Sequence, residues 1–201
     1  NLAYLLRHDT IYGAYERDVQ IDTRSGAFIV DGKRIKVIQE KDPALLPWKE
    51  LGVDIAIEAT GFFESFEKAR AHLAAGAKRV VMTAPAKDDD GPEGRTVLIG
   101  INEEKLASCP ISSNGSCTTN SASPVIAVMA ENPGIEKAIL NTVHGYTATQ
   151  NLVDGPAKGR DFRRGRAAAQ NIVPSTTGAA IAVTPRIAAI ATAIHGPVRT
   201  S

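Results

Sequence analysis

Residues 53–83 leave few folds open to this chain. Residues 53–59 are apolar except for Asp54 and Glu58, the pattern of a strand largely buried in a parallel sheet. Thr60 and Gly61 stop it. Residues 64–75 then carry Phe66, Ala69 and Leu73 at helical spacing and close at Gly76, which suits a C-terminal cap. Residues 79–83 read as the next strand, and residues 97–101 supply another. Parallel strands need a crossover, which strand, helix and strand in this order provide. The expected class is α/β, with residues 53–101 forming half of a doubly wound sheet. Ligands of such sheets sit beyond the carboxyl ends of the strands. Thr60, Gly61, Phe62 and Phe63 occupy one such end, and Thr83, Ala84 and Pro85 another. Ordinary loop chemistry would also account for both stretches.

Upstream, residues 1–8 are helical in pattern, with Leu2, Leu5 and Leu6 on one face, and residues 9–15 form a turn-rich link. Residues 27–30 and 34–39 read as two strands around Asp31 and Gly32, a pair that favours a tight hairpin turn. Residues 40–43 end the hairpin, and residues 47–51 make a short helical turn. Asp88, Asp89 and Asp90 precede Gly91 and Pro92 in what reads as a solvated loop. A metal would need further converging ligands, and none is evident, so no metal site is expected.

The chemistry concentrates at residues 113–120, Ser-Asn-Gly-Ser-Cys-Thr-Thr-Asn. Cys117 stands where a short extended segment (residues 110–113) hands over to the apolar run 125–129. Helix amides and the positive end of a helix dipole favour a thiolate there. The hydroxyls and amides of Ser116, Thr118 and Thr119 make a pocket suited to an oxyanion or phosphate. Pro124 removes one backbone donor, predicting a local kink or a late helix start. Taken alone, the cysteine would be inert packing. Residues 137–144, however, read as a strand that ends in His144, a rigid place from which to present an imidazole. Cysteine with a separate histidine is the minimum for thiol nucleophilic catalysis.

Residues 152–166 form a long loop bearing glycines and arginines, densest in positive charge over residues 160–166. It is either a solvated surface or a phosphate-facing one, because guanidinium forks match phosphate oxygens. Residues 174–180, Pro-Ser-Thr-Thr-Gly-Ala-Ala, again set hydroxyls and a glycine before a helical pattern, which suits an anion.

The 201 residues, 43% of them hydrophobic, suffice for a real core. A net charge of +1 with dispersed basic residues argues against a nucleic-acid or membrane surface. No apolar run is long and uncharged enough to span a bilayer. Two cysteines, Cys109 and Cys117, give no disulfide framework and fit a reducing compartment. Cys109, before Pro110, reads as a core plug. The chain opens without Met inside a helical pattern and is expected to be part of a longer protein.

Ser-Cys-Thr-Thr-Asn at residues 116–120 and Thr-Val-His-Gly-Tyr-Thr at residues 142–147 together closely resemble the active-site pair of the phosphorylating glyceraldehyde-3-phosphate dehydrogenase family. The resemblance implies a partial Rossmann-type NAD(P)-binding domain over residues 1–116. A partial α+β catalytic domain would follow over residues 117–201. It implies oxidation of glyceraldehyde 3-phosphate with inorganic phosphate, through a cysteine thioester, to 1,3-bisphosphoglycerate. Cys117 and His144 would be catalytic. Ser116, Thr118, Thr147, Arg163, Thr177 and Gly178 would hold phosphate groups. Residues 152–166 resemble the family's S-shaped loop between subunits, with one residue more than the common pattern, which makes Arg164 a substitute for Arg163. Lys41, Thr60, Gly61 and Thr83 match cofactor-bordering positions, the cofactor being NAD, with NADP left open. A cytoplasmic homotetramer is implied for the full-length parent. An erythrose-4-phosphate dehydrogenase and a non-catalytic remnant are the alternatives.

The resemblance runs to about Val183. Residues 184–201 depart from it, although Ile187, Ile190 and Ile194 fit an amphipathic helix. The family's glycine-rich pyrophosphate motif, the acidic residue that would favour NAD, and a later phosphate-binding arginine have no counterpart in the sequence. The first strand of a doubly wound sheet is central, so without it the chain alone is expected to be marginally stable or aggregation-prone.

Overall fold

The computed structural model describes residues 2–157 and 159–175. Helix α1 (Leu2–Arg7) buries Ala3, whereas Leu2, Leu5 and Leu6, the expected inner face, are exposed. Strands β1 (His8–Asp9) and β2 (Gly13–Ala14) pair antiparallel across the following turn. The predicted hairpin forms as β4 (Phe28–Val30) and β5 (Lys33–Ile35). Asp31 and Gly32 both take positive φ, 50° and 74°, as the tight turn requires. A further strand, β3 (Val19–Ile21), pairs with β4 and completes a three-stranded sheet; its short alternation has no apolar run to mark it.

The second sheet carries the α/β character. Strands β6 (Ile55–Glu58), β7 (Arg79–Met82), β8 (Gly94–Thr96) and β9 (Ile111–Ser113) lie in the order β6-β7-β9-β8, all parallel. Helix α2 (Phe66–Ala74) makes the crossover from β6 to β7. Ser65 caps it by accepting from the Lys68 amide, and the Asp88 carboxylate accepts from the Phe66 and Glu67 amides at 2.8 and 3.1 Å. Three of the otherwise unpartnered first-turn donors are thereby satisfied. Phe66 and Ala69 seat the helix on Val80, Met82 and Ile111, which form the buried core.

Two strand assignments need correction. The segment predicted at residues 97–101 pairs instead at Gly94–Thr96, because Asn102 takes over beyond it. Its side-chain oxygen accepts from the Leu98 amide and its amide donates to the Thr96 carbonyl, turning the chain away from the ladder. Residues 137–144 form no strand: Ile139 and Val143 are almost fully exposed, and the segment has no ladder partner among the described residues. Strand preference is mostly preference for neighbours, and the described residues offer none. β6 is also not buried on both faces. It lies at the edge of the sheet, with Ile55 and Ile57 exposed and Ala56 and Glu58 inside.

Helix α3 (Cys117–Glu131) follows β9 after a three-residue turn. It starts at Cys117 without delay and runs through Pro124, whose missing N–H leaves the Asn120 carbonyl without its helical donor. The amphipathic pattern noted at residues 187–194 lies outside the described residues.

Gly94 supplies a test of how β8 and α2 meet. A Cβ at this position would overlap the ring of Phe66 at Cδ1 and Cγ, whereas one at Gly91 would meet nothing within 4 Å. Gly94→Ala should therefore destabilise by about 1–3 kcal/mol. Gly91→Ala should stay near neutral, and urea midpoints of the two variants check the contrast.

Candidate active site

Parallel pairing brings the carboxyl ends of β6, β7 and β9 to one edge, and the reactive residues lie there. The Asn114 amide donates to the Met82 carbonyl, and the Ser113 hydroxyl donates to the Ala84 carbonyl at 2.7 Å while accepting from the Gly115 amide. These bonds fix the turn that leads into α3. Ser116 is its N-cap: its hydroxyl oxygen accepts from the Thr119 amide at 2.9 Å and lies 2.7 Å from the Thr119 hydroxyl. Asn120 ties the turn shut by donating to the Asn114 and Ser116 carbonyls. Cys117 thus becomes the first helical residue, exposed, with Thr118 and Thr119 buried behind it.

His144 reaches the thiol although no strand carries it. Its Nε2 lies 3.2 Å from Cys117 Sγ. Its Nδ1 donates to the Gly145 carbonyl at 2.6 Å, which fixes the proton on Nδ1 and leaves Nε2 to face sulfur. The bond to His144 holds the Cys117 thiol below its ordinary range; slight burial opposes this and the Thr118 amide assists. The Gly145 carbonyl, and then the thiol, raise His144 above the usual imidazole range. Cys109 behaves oppositely: burial pushes its thiol up, and Arg95 only partly offsets this. The two thiols are thus shifted in opposite directions, Cys117 beside an imidazole and Cys109 by burial.

The arginine loop divides its two candidates. Arg163 is spent on Asp161, its Nε and Nη2 on the two carboxylate oxygens at 2.7 and 3.0 Å. Arg164 keeps a longer contact with the same carboxylate, Nε to Asp161 Oδ2 at 3.5 Å, and turns its other nitrogens to hydroxyls: Nη1 donates to Thr149 Oγ1 at 2.7 Å and Nη2 to Ser175 Oγ at 2.8 Å. Thr149 Oγ1 lies 2.9 Å from Thr147 Oγ1, so Arg164 joins the expected Thr147. Thr149 and Ser175 are additions to the expected set, and both are hydroxyl residues inside or beside stretches that the sequence marks. Thr177 and Gly178 lie outside the described residues.

Of the cofactor candidates, Thr60, Gly61 and Thr83 are exposed at the ends of β6 and β7, and the Thr83 amide bonds the Glu58 carbonyl at 3.0 Å. Gly61 has φ 74° and nothing within 4 Å of a would-be Cβ, so its backbone is open to close approach by a flat ligand. These residues fit a dinucleotide at the strand ends. Lys41 stands exposed just before the short 3-10 turn Pro43–Leu45. No group of residues among those described could hold a metal ion, and no helix among them is long and apolar enough to cross a membrane.

The structure thus sets a thiol–imidazole pair at the carboxyl edge of a parallel α/β sheet, the edge at which ligands of such sheets bind. Residues 1–66 match the NAD binding domain of glyceraldehyde 3-phosphate dehydrogenase, and residues 116–199 match its C-terminal domain. The second match extends past Val183, the expected end of the resemblance. The glyceraldehyde-3-phosphate dehydrogenase of Thermotoga maritima is 51% identical over 183 residues, 90% of this chain and 53% of its own length. That of Eremothecium gossypii is 49% identical over 181 residues, 90% of this chain and 52% of its own. A Trypanosoma brucei brucei relative, named as the cytosolic form, is 46% identical over 182 residues, 90% of this chain and 53% of its own length. The chain belongs to the glyceraldehyde-3-phosphate dehydrogenase family. It spans about half the length of these relatives.

The paired shifts predict the reactivity of the thiols. Iodoacetamide should modify Cys117 far faster than Cys109 near neutral pH. Because the Cys117 pKa is lowered, its reactivity should persist below the range of a free thiol and fall as pH drops through that lowered value. His144→Asn should slow the Cys117 reaction about tenfold or more at neutral pH, moving its profile upward. Peptide mapping after timed alkylation reads both sites.

Proposed function

We propose that the chain carries the catalytic pair of a phosphorylating glyceraldehyde-3-phosphate dehydrogenase, acting in glycolysis. The observation that carries this reading is the 3.2 Å contact of Cys117 Sγ with His144 Nε2 at the N-terminus of α3. The Cys117 thiolate adds to the aldehyde carbon of glyceraldehyde 3-phosphate, and the carbonyl oxygen takes the developing charge. The Cys117 backbone amide and the protonated His144 Nε2 stabilise that oxyanion. His144 Nε2 gives its proton to that oxyanion, forming the thiohemiacetal hydroxyl, and takes the same proton back as the carbon is oxidised. Thr60, Gly61 and Thr83, with Lys41 on the adenine side, would hold NAD, which supplies the two-electron acceptor for that oxidation. Inorganic phosphate attacks the resulting thioester and releases the acyl phosphate, returning Cys117 as thiolate.

Ser116, Thr118, Thr147, Thr177 and Gly178 hold the phosphate groups of substrate and co-substrate in this reading, with Arg164 beside them, and Arg163 joins them once phosphate displaces Asp161. Hydroxyls backed by a guanidinium suit that task. NADP remains open as the cofactor. The catalytic part begins at residue 117, after the cofactor part at residues 1–116. The parent enzyme assembles as a homotetramer in the cytoplasm.

NADH formation from glyceraldehyde 3-phosphate, NAD and phosphate tests the reading. In the full-length parent, turnover should appear and be lost in Cys117→Ser; NADH formation at an equal rate in that variant would overturn it. Among the arginines, Arg164→Ala should raise the KM for phosphate more than Arg163→Ala does, by about tenfold for one lost charge-assisted contact.

A further inference from the structure

Glu58 is a charged residue inside the sheet, only 5% exposed, and every one of its carboxylate contacts is to a specific donor. Oε1 accepts from the Thr60 amide at 2.7 Å and also from the Thr60 hydroxyl. Oε2 lies 2.9 Å from Nε2 of His72, itself 5% exposed on α2. On the far side of that ring, Trp48 Nε1 donates to His72 Nδ1 at 3.1 Å, with the rings stacked at 6.3 Å between centroids. Indole nitrogen can only donate, so Nδ1 carries no proton and the His72 proton resides on Nε2, donated to Glu58. The direction of every bond is therefore dictated from one end: Trp48 sets the His72 tautomer, the tautomer requires an ionised Glu58, and Glu58 anchors Thr60. Thr60 passes the order on, its hydroxyl accepting from the Phe62 amide at 3.2 Å across Gly61. Burial pushes the Glu58 carboxyl up, but the bonds from Thr60 and His72 outweigh it and hold it below the usual range.

We propose that half-buried Trp48 and buried His72 and Glu58 form a one-directional hydrogen-bond relay that positions the Thr60–Phe62 loop for its ligand. These are positioning residues, since they act only through Thr60. The assignment of NAD as the ligand rests on the proposed function above; the relay itself does not.

Glu58→Gln tests the relay while preserving shape. The substituted side chain keeps an oxygen for Thr60 but turns an amide N–H toward His72 Nε2. The imidazole must then move its proton to Nδ1, which collides with the Trp48 N–H. Amide hydrogen exchange on the full chain reads the result without any ligand. Exchange at Thr60 and Phe62 should accelerate about tenfold, as for one lost buried hydrogen bond, with α2 amides unchanged. Emission of Trp48, the single tryptophan of the chain, should shift in the same variant. Trp48→Phe added to Glu58→Gln removes the collision and should restore protection at Thr60. Unchanged exchange at Thr60, equal acceleration across α2, or additive effects of the two substitutions would each overturn the relay. In parallel, calorimetric titration with NAD should show binding weakened about tenfold by Glu58→Gln and recovered in the double variant. An absence of NAD binding to the unmodified chain would overturn the cofactor assignment, and the exchange result would still decide the relay.

Discussion

Parallel pairing of β6, β7 and β9 is the constraint on which the rest of the molecule depends. Strands that run the same way end at the same edge, so the loops after Glu58, Met82 and Ser113 meet there. The edge is then stitched by bonds that cross strands: Asn114 to Met82, Ser113 to Ala84, and Thr83 to Glu58. Each of these places one loop relative to the next, and the last loop delivers Cys117 to the first turn of α3. A shift in the register of β9 against β7 would move Cys117 with it.

The electrostatics of the site follow from that placement. A helix start offers Cys117 partial positive charge and an amide from Thr118, and the Ser116 cap occupies the competing Thr119 donor. His144 adds an imidazole within reach of the sulfur. Its ring is oriented by the carbonyl of the next residue, so the pair depends on a local backbone bond and not on a strand.

Much of the architecture could be read from pattern. The strand and helix of residues 53–83 appear nearly where periodicity placed them, and the Asp31, Gly32 hairpin adopts the turn its residues favour. The failures share one cause. The pattern at residues 97–101 lost its pairing to a side chain, Asn102, and the pattern at residues 137–144 has no partner among the described residues; neither is visible in local hydropathy. β6 reversed its expected inside and outside as well. Apolar Ile55 and Ile57 face out at a sheet edge, and Glu58, which read as an interruption, faces in because Thr60 and His72 satisfy it.

By itself the sequence determined the fold class, the family and the residue types of the site, because periodicity, turn residues and the two motifs around Cys117 and His144 are local in the chain. Tertiary structure decided which groups touch. It put His144 on Cys117, set Arg163 against Asp161 and Arg164 against Thr149, and joined Trp48, His72 and Glu58 across 24 and 14 residues of chain. Those contacts are directional bonds between distant residues. Donor and acceptor must be brought within about 3 Å by packing, and no property of either residue alone encodes that distance.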